Sequence, residues 1–330
     1  MWFRELVGFD ETNGEEVRAQ LRIESERMTS LANGREMGCG TLEMPSLGEL
    51  RDRTADLVSG VGPTTIREVV GDVAALHRDP ANAGATFQAA SQFNLLEMAS
   101  PNVTPEAGVD IYEHDHTQGP ACAIACGAGT IYRNYLVEID GRPGQTADRQ
   151  LDGLADLGRF LFPDAGAPWS MRNGYAMFDR PALDAVGERL ASMSVDDLDE
   201  ARGYLRVGVH RSVEVTSAAT AHEVTQVYCS ALPVAYNRQP AHLFESLARL
   251  VLDATYESTL RAAAETRAAT GNPTVFLTLV GGGVFGNQSA WIFDTIQRSL
   301  DTVADAGLDV VVVSYGSPHP GVANLEAPHR

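Results

Sequence analysis

The sequence predicts an α/β fold in which parallel strands are covered by helices, and three segments support this prediction. Residues 274–316 contain the apolar strand TVFLTLV, the glycine turn GGGVFGN, a helix and the apolar strand DVVVVSYG, which is the order of a βαβ unit. Residues 242–268 have the apolar face of a long amphipathic helix. Residues 86–96, TFQAASQFNLL, are predicted as a buried strand that ends at polar residues.

The N-terminal part is predicted as a helical extension that spans residues 1–60. Within it, residues 15–32 are predicted as one helix. A second helix is indicated by a capping box, in which Glu49 follows Ser46 by three positions, and by a glycine stop. After this extension, residues 64–78 mix β-branched side chains with a Gly-Asp step, which indicates a strand that leaves a turn.

Residues 61–316 are predicted as one elaborated domain. The alternation of apolar residues over 204–215 indicates a strand, and 122–139 indicates a turn or short strand followed by a helix or strand. A helical, acidic segment at about 145–205 is predicted as an insertion or a cover layer. Residues 317–330 are predicted as a flexible tail.

The composition argues against several classes of function. The formal net charge is −19 and no basic stripe occurs, which disfavours a nucleic-acid partner. All 25 cationic side chains are arginine, so neither a Schiff-base lysine nor a phosphate-loop lysine is available. No apolar run approaches the roughly 20 residues of a membrane span, and the N-terminus shows no leader. We therefore expect a cytoplasmic protein without a membrane partner.

The stretch 84–135 has the composition of a site for a polar small molecule. It begins with amides beside apolar residues (Gln88, Gln92 and Asn94), continues with a loop rich in acids, and ends with a glycine-rich run at 119–129. Packing alone has little use for so many amides among apolar residues. Amides, carboxylates and a glycine-rich wall together predict a ligand-binding site.

The glycine turn at residues 281–287 is predicted to bind a diphosphate. Its backbone N–H groups and those of the following helix offer donors to an anion without side-chain charge. Asn287 or Ser289 is expected to cap that helix. Arg133 is the side chain best placed in the sequence to support the site, with a structural salt bridge as the alternative. The turn lacks the GxGxxG spacing of a dinucleotide-binding motif.

Metal and thiol chemistry are not favoured by the sequence. His114 and His116 flank Asp115 and would share one face of an extended strand, but no third or fourth ligand is apparent. The four cysteines fit neither a disulfide framework nor a zinc site, and Cys122 and Cys126 lie in an apolar run. We expect buried thiols, no metal and no cofactor.

Several of these segments resemble the macrodomain superfamily of ADP-ribose-binding proteins, above all its larger bacterial and effector-type members that remove ADP-ribose from arginine. The run 71–73, Gly-Asp-Val, is similar to the step whose aspartate receives the adenine amino group. Residues 87–94 resemble the segment whose asparagine meets the distal ribose, here Asn94. Residues 117–121 stand in the place of the first phosphate-side loop, and 281–287 resemble the second.

The resemblance covers about residues 42–316 and implies a three-layer α/β/α macrodomain-like fold with a mixed sheet and extra N-terminal and inserted helices. With the amides and the glycine turn, it gives these ligand-binding candidates: Asp72, Gln88, Gln92, Asn94, Gln118, Gly119, Gly282, Gly283, Val284, Phe285, Gly286 and Asn287. The sequence lacks the glycine loop that directly follows the asparagine in simple macrodomains, and has the acid-bearing segment 97–118 instead. It is similar in size to poly(ADP-ribose) glycohydrolases but lacks their paired glutamates after a glycine triplet.

The resemblance implies an ADP-ribosylhydrolase that removes single ADP-ribose units from modified protein, arginine-linked by preference, by cleavage at the distal ribose anomeric carbon. One carboxylate would activate water or hold the ribose hydroxyls, and another would protonate or orient the departing group. Glu97, Glu106 and Asp115 are the catalytic candidates, spaced along one loop that could bring them round one carbon. The alternatives are a non-catalytic ADP-ribose reader and a hydrolase of a free ADP-ribose derivative. The oligomeric state is left open.

Overall fold

A computed structural model describes residues 1–328 and contains a mixed sheet between two layers of helices. The helices are α1 (Trp2–Val7), α2 (Gly14–Ala19), α3 (Leu47–Thr54), α4 (Val73–Arg78), α5 (Gln118–Ala125), α6 (Gly127–Ile131), α7 (Ala155–Leu161), α8 (Arg180–Ala191), α9 (Val195–Arg202), α10 (Glu245–Thr270) and α11 (Ser289–Asp301). The strands are β1 (Leu21–Glu24), β2 (Arg27–Ser30), β3 (Glu36–Gly38), β4 (Thr41–Glu43), β5 (Thr65–Val70), β6 (Thr86–Ala90), β7 (Glu138–Ile139), β8 (Arg142–Pro143), β9 (Ser170–Arg172), β10 (Tyr175–Met177), β11 (Gly208–Glu214), β12 (Glu223–Cys229), β13 (Thr274–Leu277) and β14 (Asp309–Ser314).

The central sheet has seven strands in the order β4-β11-β12-β6-β13-β14-β5. The five strands from β12 to β5 are parallel, while β11 and β4 pair antiparallel at one edge. The chain leaves β6 for β12 on one side and returns through α10 to β13 on the other side. The carboxyl ends of these three strands therefore meet where the direction of the connections reverses, which is the usual place for a ligand in an open α/β sheet.

Helices cover both faces of this sheet. The layer of α3, α8, α9, α10 and α11 packs on one face, and α4, α5 and α6 pack on the other. The side chain of Phe87 in β6 points toward the second layer, where its ring stacks on His77 at 3.7 Å and on Phe276 at 4.5 Å between centroids. The prediction of a three-layer α/β/α fold with a mixed sheet is confirmed.

The predicted βαβ unit at the end of the domain is present, because β13 and β14 pair in parallel and α11 connects them. The predicted helix cap is wrong. Gln288 occupies the N-cap position without a side-chain bond, and neither Asn287 nor Ser289 caps the helix. Asn287 instead donates its side-chain amide to Leu232 O at 2.8 Å and its backbone N–H to Gly281 O at 2.9 Å, which closes the glycine turn.

The N-terminal segment differs from the single helix predicted for residues 15–32. Helix α2 ends at Ala19, and β1 and β2 then form a hairpin that continues into β3. The two-residue turn of this hairpin places Ser25 at φ 56°. Inward residues such as Leu21 and Met28 follow the two-residue period of strands, whereas the charged residues between them had indicated a helical face.

Other segments follow the sequence more closely. The capping box at the start of α3 has both expected bonds, from the Glu49 N–H to Ser46 Oγ and from the Ser46 N–H to the Glu49 carboxylate. The insertion at 145–205 contains α7, α8 and α9, together with the hairpin β9–β10, which the sequence did not indicate. The segment 122–139 is mainly helical rather than extended.

The C-terminal residues 317–330 lie partly outside the described part of the chain, which ends at residue 328. Within it, Val322 is buried and Glu326 receives and donates backbone bonds with the Gln297 side chain. The flexibility of this tail stays a prediction. None of the helices in residues 1–328 combines the length and the apolar character needed to cross a bilayer.

Candidate active site

A cavity of about 340 Å³ opens at the carboxyl ends of β6, β12 and β13. Its walls come from the loop after β6, the start of α5, the hairpin β9–β10, the segment after β12 and the glycine turn after β13. The lining residues are Ala90, Ser91, Gln92, Glu97, Met98, Ala99, Asp115, Thr117, Gln118, Gly119, Pro120, Tyr175, Ala231, Tyr236, Thr278, Leu279, Val280, Gly281, Gly283, Val284 and Phe285.

Glu97 is held by a compact loop that follows β6 directly. The Gln92 side-chain oxygen accepts the Met98 N–H at 2.8 Å, and the Asn94 side-chain oxygen accepts the Leu96 N–H at 3.1 Å. The Glu97 N–H itself donates to the Tyr112 hydroxyl at 3.0 Å. The amides predicted to contact a ligand therefore fix the backbone on both sides of the acid.

Glu97 is only 5% exposed although it lines the cavity. Burial raises its pKa well above the usual value, the positive charge of Arg133 opposes this shift, and the negative charge of Asp115 adds to it. Within residues 1–328, Glu97 Oε1 has no hydrogen-bond partner. The surroundings of this side chain favour the protonated form over the carboxylate, as the surroundings of a general acid do.

Helix α5 begins against the end of β6 and leaves space for this acid. The Gln118 side-chain amide accepts the Ala90 N–H at 2.9 Å and donates to Gln88 O at 2.8 Å. These two bonds attach the start of α5 to the backbone of β6. A β-carbon on Gly119 would lie 2.0 Å from Ala90 O and 2.3 Å from Glu97 Oε2. Only glycine permits this approach of helix, strand and carboxyl group.

Asp115 is the second carboxyl group at the cavity, at the end of the loop that precedes α5. Its Oδ1 accepts the Thr117 N–H at 2.9 Å and the Thr117 hydroxyl at 2.7 Å, which fixes the side chain while it stays partly exposed. Glu97 and Asp115 are the charged residues of the lining, and their different surroundings suit different roles in acid–base chemistry.

The glycine turn faces these acids from the other side of the cavity. Gly281 and Gly286 adopt φ values of 75° and 72°, in the left-handed region that favours glycine, and Gly283, Val284 and Phe285 between them line the cavity. Within residues 1–328, the N–H groups of Gly283, Val284 and Phe285 donate to no protein acceptor. Successive free N–H groups at a concave surface bind anions.

Aromatic rings close the cavity between these two sides. The rings of Tyr175, Tyr236 and Phe285 lie 5.0 to 5.7 Å apart in all three pairings. The Tyr175 hydroxyl donates to Met98 O at 2.7 Å and so fixes the hairpin β9–β10 to the loop of the acid. Sequence reasoning missed Tyr175 and Tyr236, because both come from segments without a local signal.

Several predicted site residues do not line the cavity. Glu106 is exposed and accepts the Ala147 N–H at 2.8 Å, so the prediction that three carboxylates surround one carbon is wrong for this residue. Asp72 is exposed and caps α4 through the Ala74 N–H at 2.9 Å. Gln88 donates its side-chain amide to the Thr259 hydroxyl of α10 and accepts the Thr278 N–H. Asn94 is fully buried. The turn residues Gly282, Gly286 and Asn287 also lie outside the lining.

The predicted candidates that line the cavity are Glu97, Asp115, Gln92, Gln118, Gly119, Gly283, Val284 and Phe285. Arg133 neither lines the cavity nor forms an ion pair with a described residue. The four cysteines are buried and unpaired, as expected. Within residues 1–328, no three His, Cys, Asp or Glu side chains come together in a group that could hold a metal ion.

No protein-family model matches the chain, and the comparison with curated proteins gave no match. Among solved structures, the poly(ADP-ribose) glycohydrolase of Thermomonospora curvata shares 17% identity over 97% of each chain, with a TM-score of 0.45. The poly(ADP-ribose) glycohydrolase of Deinococcus radiodurans, in complex with ADP-ribose, shares 14% identity over 87% of this chain and 92% of that chain, with a TM-score of 0.43. A second Thermomonospora curvata structure, bound to the inhibitor ADP-HPD, gives 15% identity, coverage of 97% and 95%, and a TM-score of 0.40.

These neighbours correct the resemblance drawn from the sequence. They are poly(ADP-ribose) glycohydrolases and not the group that removes ADP-ribose from arginine, so the chain is not assigned to that group. The similarity is distant, and the fold rests on the observed order and direction of the strands.

Proposed function

We propose that the protein is an ADP-ribose-binding hydrolase that cleaves a glycosidic bond at the distal ribose. One observation carries the proposal: a buried Glu97 and a partly exposed Asp115 share a cavity with a row of free backbone N–H groups. A diphosphate sugar needs both of these features, an anion site without strong side-chain charge and a pair of carboxyl groups at the reacting carbon.

The diphosphate would be held by the turn 281–286. A chain with a net charge of −19 and no arginine in the cavity lining cannot attract phosphate through side chains at this place. The free N–H groups of Gly283, Val284 and Phe285 supply partial positive charge at fixed positions instead. The adjacent aromatic rings offer apolar surface to the sugar.

Glu97 is the group suited to protonate the departing oxygen or nitrogen, because burial raises its pKa and so favours the protonated form. Bond cleavage at an anomeric carbon develops positive charge on the ribose. Asp115, fixed by Thr117 and open to water, is suited to stabilise that charge or to orient the attacking water.

The bond that is cleaved is a finer proposal. ADP-ribose polymers have a neutral sugar hydroxyl as the leaving group, whereas ADP-ribosylated arginine has a cationic guanidinium. Asp115, as the second acid of the lining, favours the cationic leaving group, since it would bind it directly. Protein-linked single units, arginine-linked among them, are therefore tested beside the polymer. The cytoplasmic location likewise stays a prediction.

The test is to incubate the protein with ADP-ribose polymer, with arginine-linked ADP-ribosylated protein and with free ADP-ribose derivatives, and to measure released ADP-ribose by chromatography. We expect release from at least one of them, and a loss of at least about 100-fold in Glu97→Gln, in the range for removal of a general acid. Glu106→Gln is the matched control, because it removes an acid of the same segment from outside the cavity.

Calorimetric titration with ADP-ribose separates the remaining functions. Binding without turnover on any substrate would identify a reader and not a hydrolase. Absence of both binding and turnover would overturn the proposal, as would equal losses of activity in Glu97→Gln and Glu106→Gln.

A further inference from the structure

Arg133 is a fully buried cation next to the loop that carries Glu97. Its side chain has no exposed surface and takes no part in the cavity lining. Within residues 1–328, no carboxylate lies within the 4.0 Å of an ion pair with it. An unpaired charge inside a protein strongly destabilises the fold, so a buried arginine without an ion pair indicates a functional role.

The guanidinium is surrounded by neutral groups. Arg133 Nη2 donates to Thr130 Oγ1 at 3.1 Å, and Nη1 approaches His210 Nδ1 at 3.4 Å. Burial, followed by the charge of Arg133, lowers the pKa of His210 to about 3, so the imidazole is neutral and accepts this bond. The plane of the guanidinium lies over the Tyr228 ring, with Cζ 3.5 Å from the centroid. None of these partners cancels the positive charge.

The remaining bond of Arg133 leads to the loop of the acid. Its Nε donates to Leu95 O at 3.2 Å. Leu95 has a φ of 64°, in the left-handed region that is unfavourable for a leucine because of its β-carbon. The Leu95 side chain is wedged against Gly208, where a β-carbon would lie 2.4 Å from Leu95 Cδ1. Glu97 follows two residues later, so the direction of its side chain depends on this turn.

We propose that Arg133 is a positioning residue for Glu97: it holds the left-handed Leu95 turn and keeps an uncancelled positive charge beside the acid. This inference rests on the proposed function, in which Glu97 gives up a proton and regains it. When the proton leaves, a carboxylate remains in a dry environment. A fixed cation stabilises that carboxylate and lets the proton transfer proceed.

The other groups that interact with Glu97 do not serve this purpose. They are Tyr112, Asp115, Cys122 of α5, Tyr175 of β10, and Tyr228 and Cys229 of β12. Each of them is neutral or negative, so Arg133 is the one cation in this set. Burial raises the pKa of Glu97, and Arg133 acts against that shift.

The test compares Arg133→Met, Arg133→Lys and the double variant Arg133→Lys/Leu95→Gly, with turnover measured against pH. Arg133→Met should lower kcat at least tenfold and move the alkaline limb of the kcat profile upward by about one pH unit or more, since one unit is a tenfold change in proton affinity. The Kd for ADP-ribose should stay within about twofold, because the side chain does not line the cavity. Arg261→Met is the control, since it removes a largely buried arginine of α10 that pairs with Glu257.

Arg133→Lys keeps the charge but not the fork of donors. It should keep the wild-type alkaline limb and lose kcat severalfold, and Leu95→Gly should restore part of that loss because glycine adopts the turn without strain. Wild-type kcat in Arg133→Lys, no recovery in the double variant, or an equal shift of the limb in Arg261→Met would overturn the inference. If circular dichroism shows that Arg133→Met does not fold, the results for Arg133→Lys and for the double variant still decide whether Arg133 positions Glu97.

If the wild-type protein cleaves no ADP-ribosyl bond, the proposed function fails but the inference is still decided. The Glu97 carboxyl carbon is then titrated by carbon-13 NMR in the wild type and in Arg133→Met, or in Arg133→Gln, which also removes the charge, if the first does not fold. A raised titration midpoint supports a positive charge that acts on Glu97, and a lowered midpoint overturns the inference. An unchanged midpoint overturns it.

Discussion

The contact of Gly119 with β6 and Glu97 gives the sharpest prediction about the site. Substitution of Gly119 by alanine adds one methyl group to the first turn of α5. Two effects compete: alanine favours a helix over glycine by up to about 1 kcal/mol, and overpacking of a filled site costs about 1–3 kcal/mol. The clash decides, because the new carbon would lie 2.0 Å from Ala90 O, a backbone atom that cannot rotate away.

The matched control is Gly187→Ala in the middle of α8. A β-carbon there would meet no atom within 4 Å, and the backbone needs no left-handed conformation. The helix effect should therefore act alone and stabilise the protein by about 0.5–1 kcal/mol. For Gly119→Ala we expect a net destabilisation of about 1–2 kcal/mol, so the two variants should differ by about 1.5–3 kcal/mol.

The assay is urea unfolding followed by far-ultraviolet circular dichroism, together with turnover of the best substrate at a temperature where both variants are folded. Gly119→Ala should also lose at least tenfold in kcat, because the added carbon would lie 2.3 Å from Glu97 Oε2 and must displace the acid. Equal stability of the two variants, or wild-type turnover in Gly119→Ala, would refute the reasoning about this contact.

Three further predictions concern acids and a helix cap. A group whose pKa is higher in the folded than in the unfolded protein stabilises the fold at low pH, and this contribution is lost as pH rises through the folded-state pKa. Burial raises the pKa of Glu97 in this way. The stability of Glu97→Gln relative to wild type, measured by urea unfolding, should therefore increase as pH rises. Burial alone would raise the pKa of Glu257, but bonds from Arg51 and Arg261 hold it below the usual value. The contribution of Glu257 to the stability of the fold should therefore be lost as pH falls. At neutral pH, Glu257→Gln should lower the free energy of unfolding by about 3–5 kcal/mol, measured in the same way. Ser46→Ala removes the cap of α3 and should cost about 1 kcal/mol in urea unfolding with unchanged turnover, since Ser46 lies outside the cavity lining.

The parts of the fold that the sequence predicted correctly are those with local causes. The capping box needs only Ser46 and Glu49, and the βαβ unit at 274–316 needs only the period of its own residues. The hairpin formed by β1 and β2 was missed because its inward residues are few and its charged residues are spaced like a helical face.

The site shows the same division between local and distant causes. Glu97 and Asp115, which line the cavity, were selected because acids in an amide-rich loop are unusual in the local sequence. Tyr175 could not be found in this way, since its contact with Met98 joins residues 77 positions apart and depends on how the insertion folds back. Glu106 was chosen for its spacing alone, and its bond to the Ala147 N–H shows that spacing along a loop does not fix direction.

The surroundings of Glu97 balance two requirements that oppose each other. A general acid must hold its proton until the leaving group needs it, and the buried position achieves this by disfavouring the carboxylate. The same acid must also release the proton in every cycle, and a site that only disfavoured the carboxylate would make this step slow. The charge of Arg133 offsets part of the effect of burial, while the glycine turn that is proposed to bind the diphosphate contains no arginine. Under the proposed function, the positive charge of Arg133 would favour proton release, and the diphosphate would be held by backbone N–H groups in a cavity whose lining contains none of the 25 arginines.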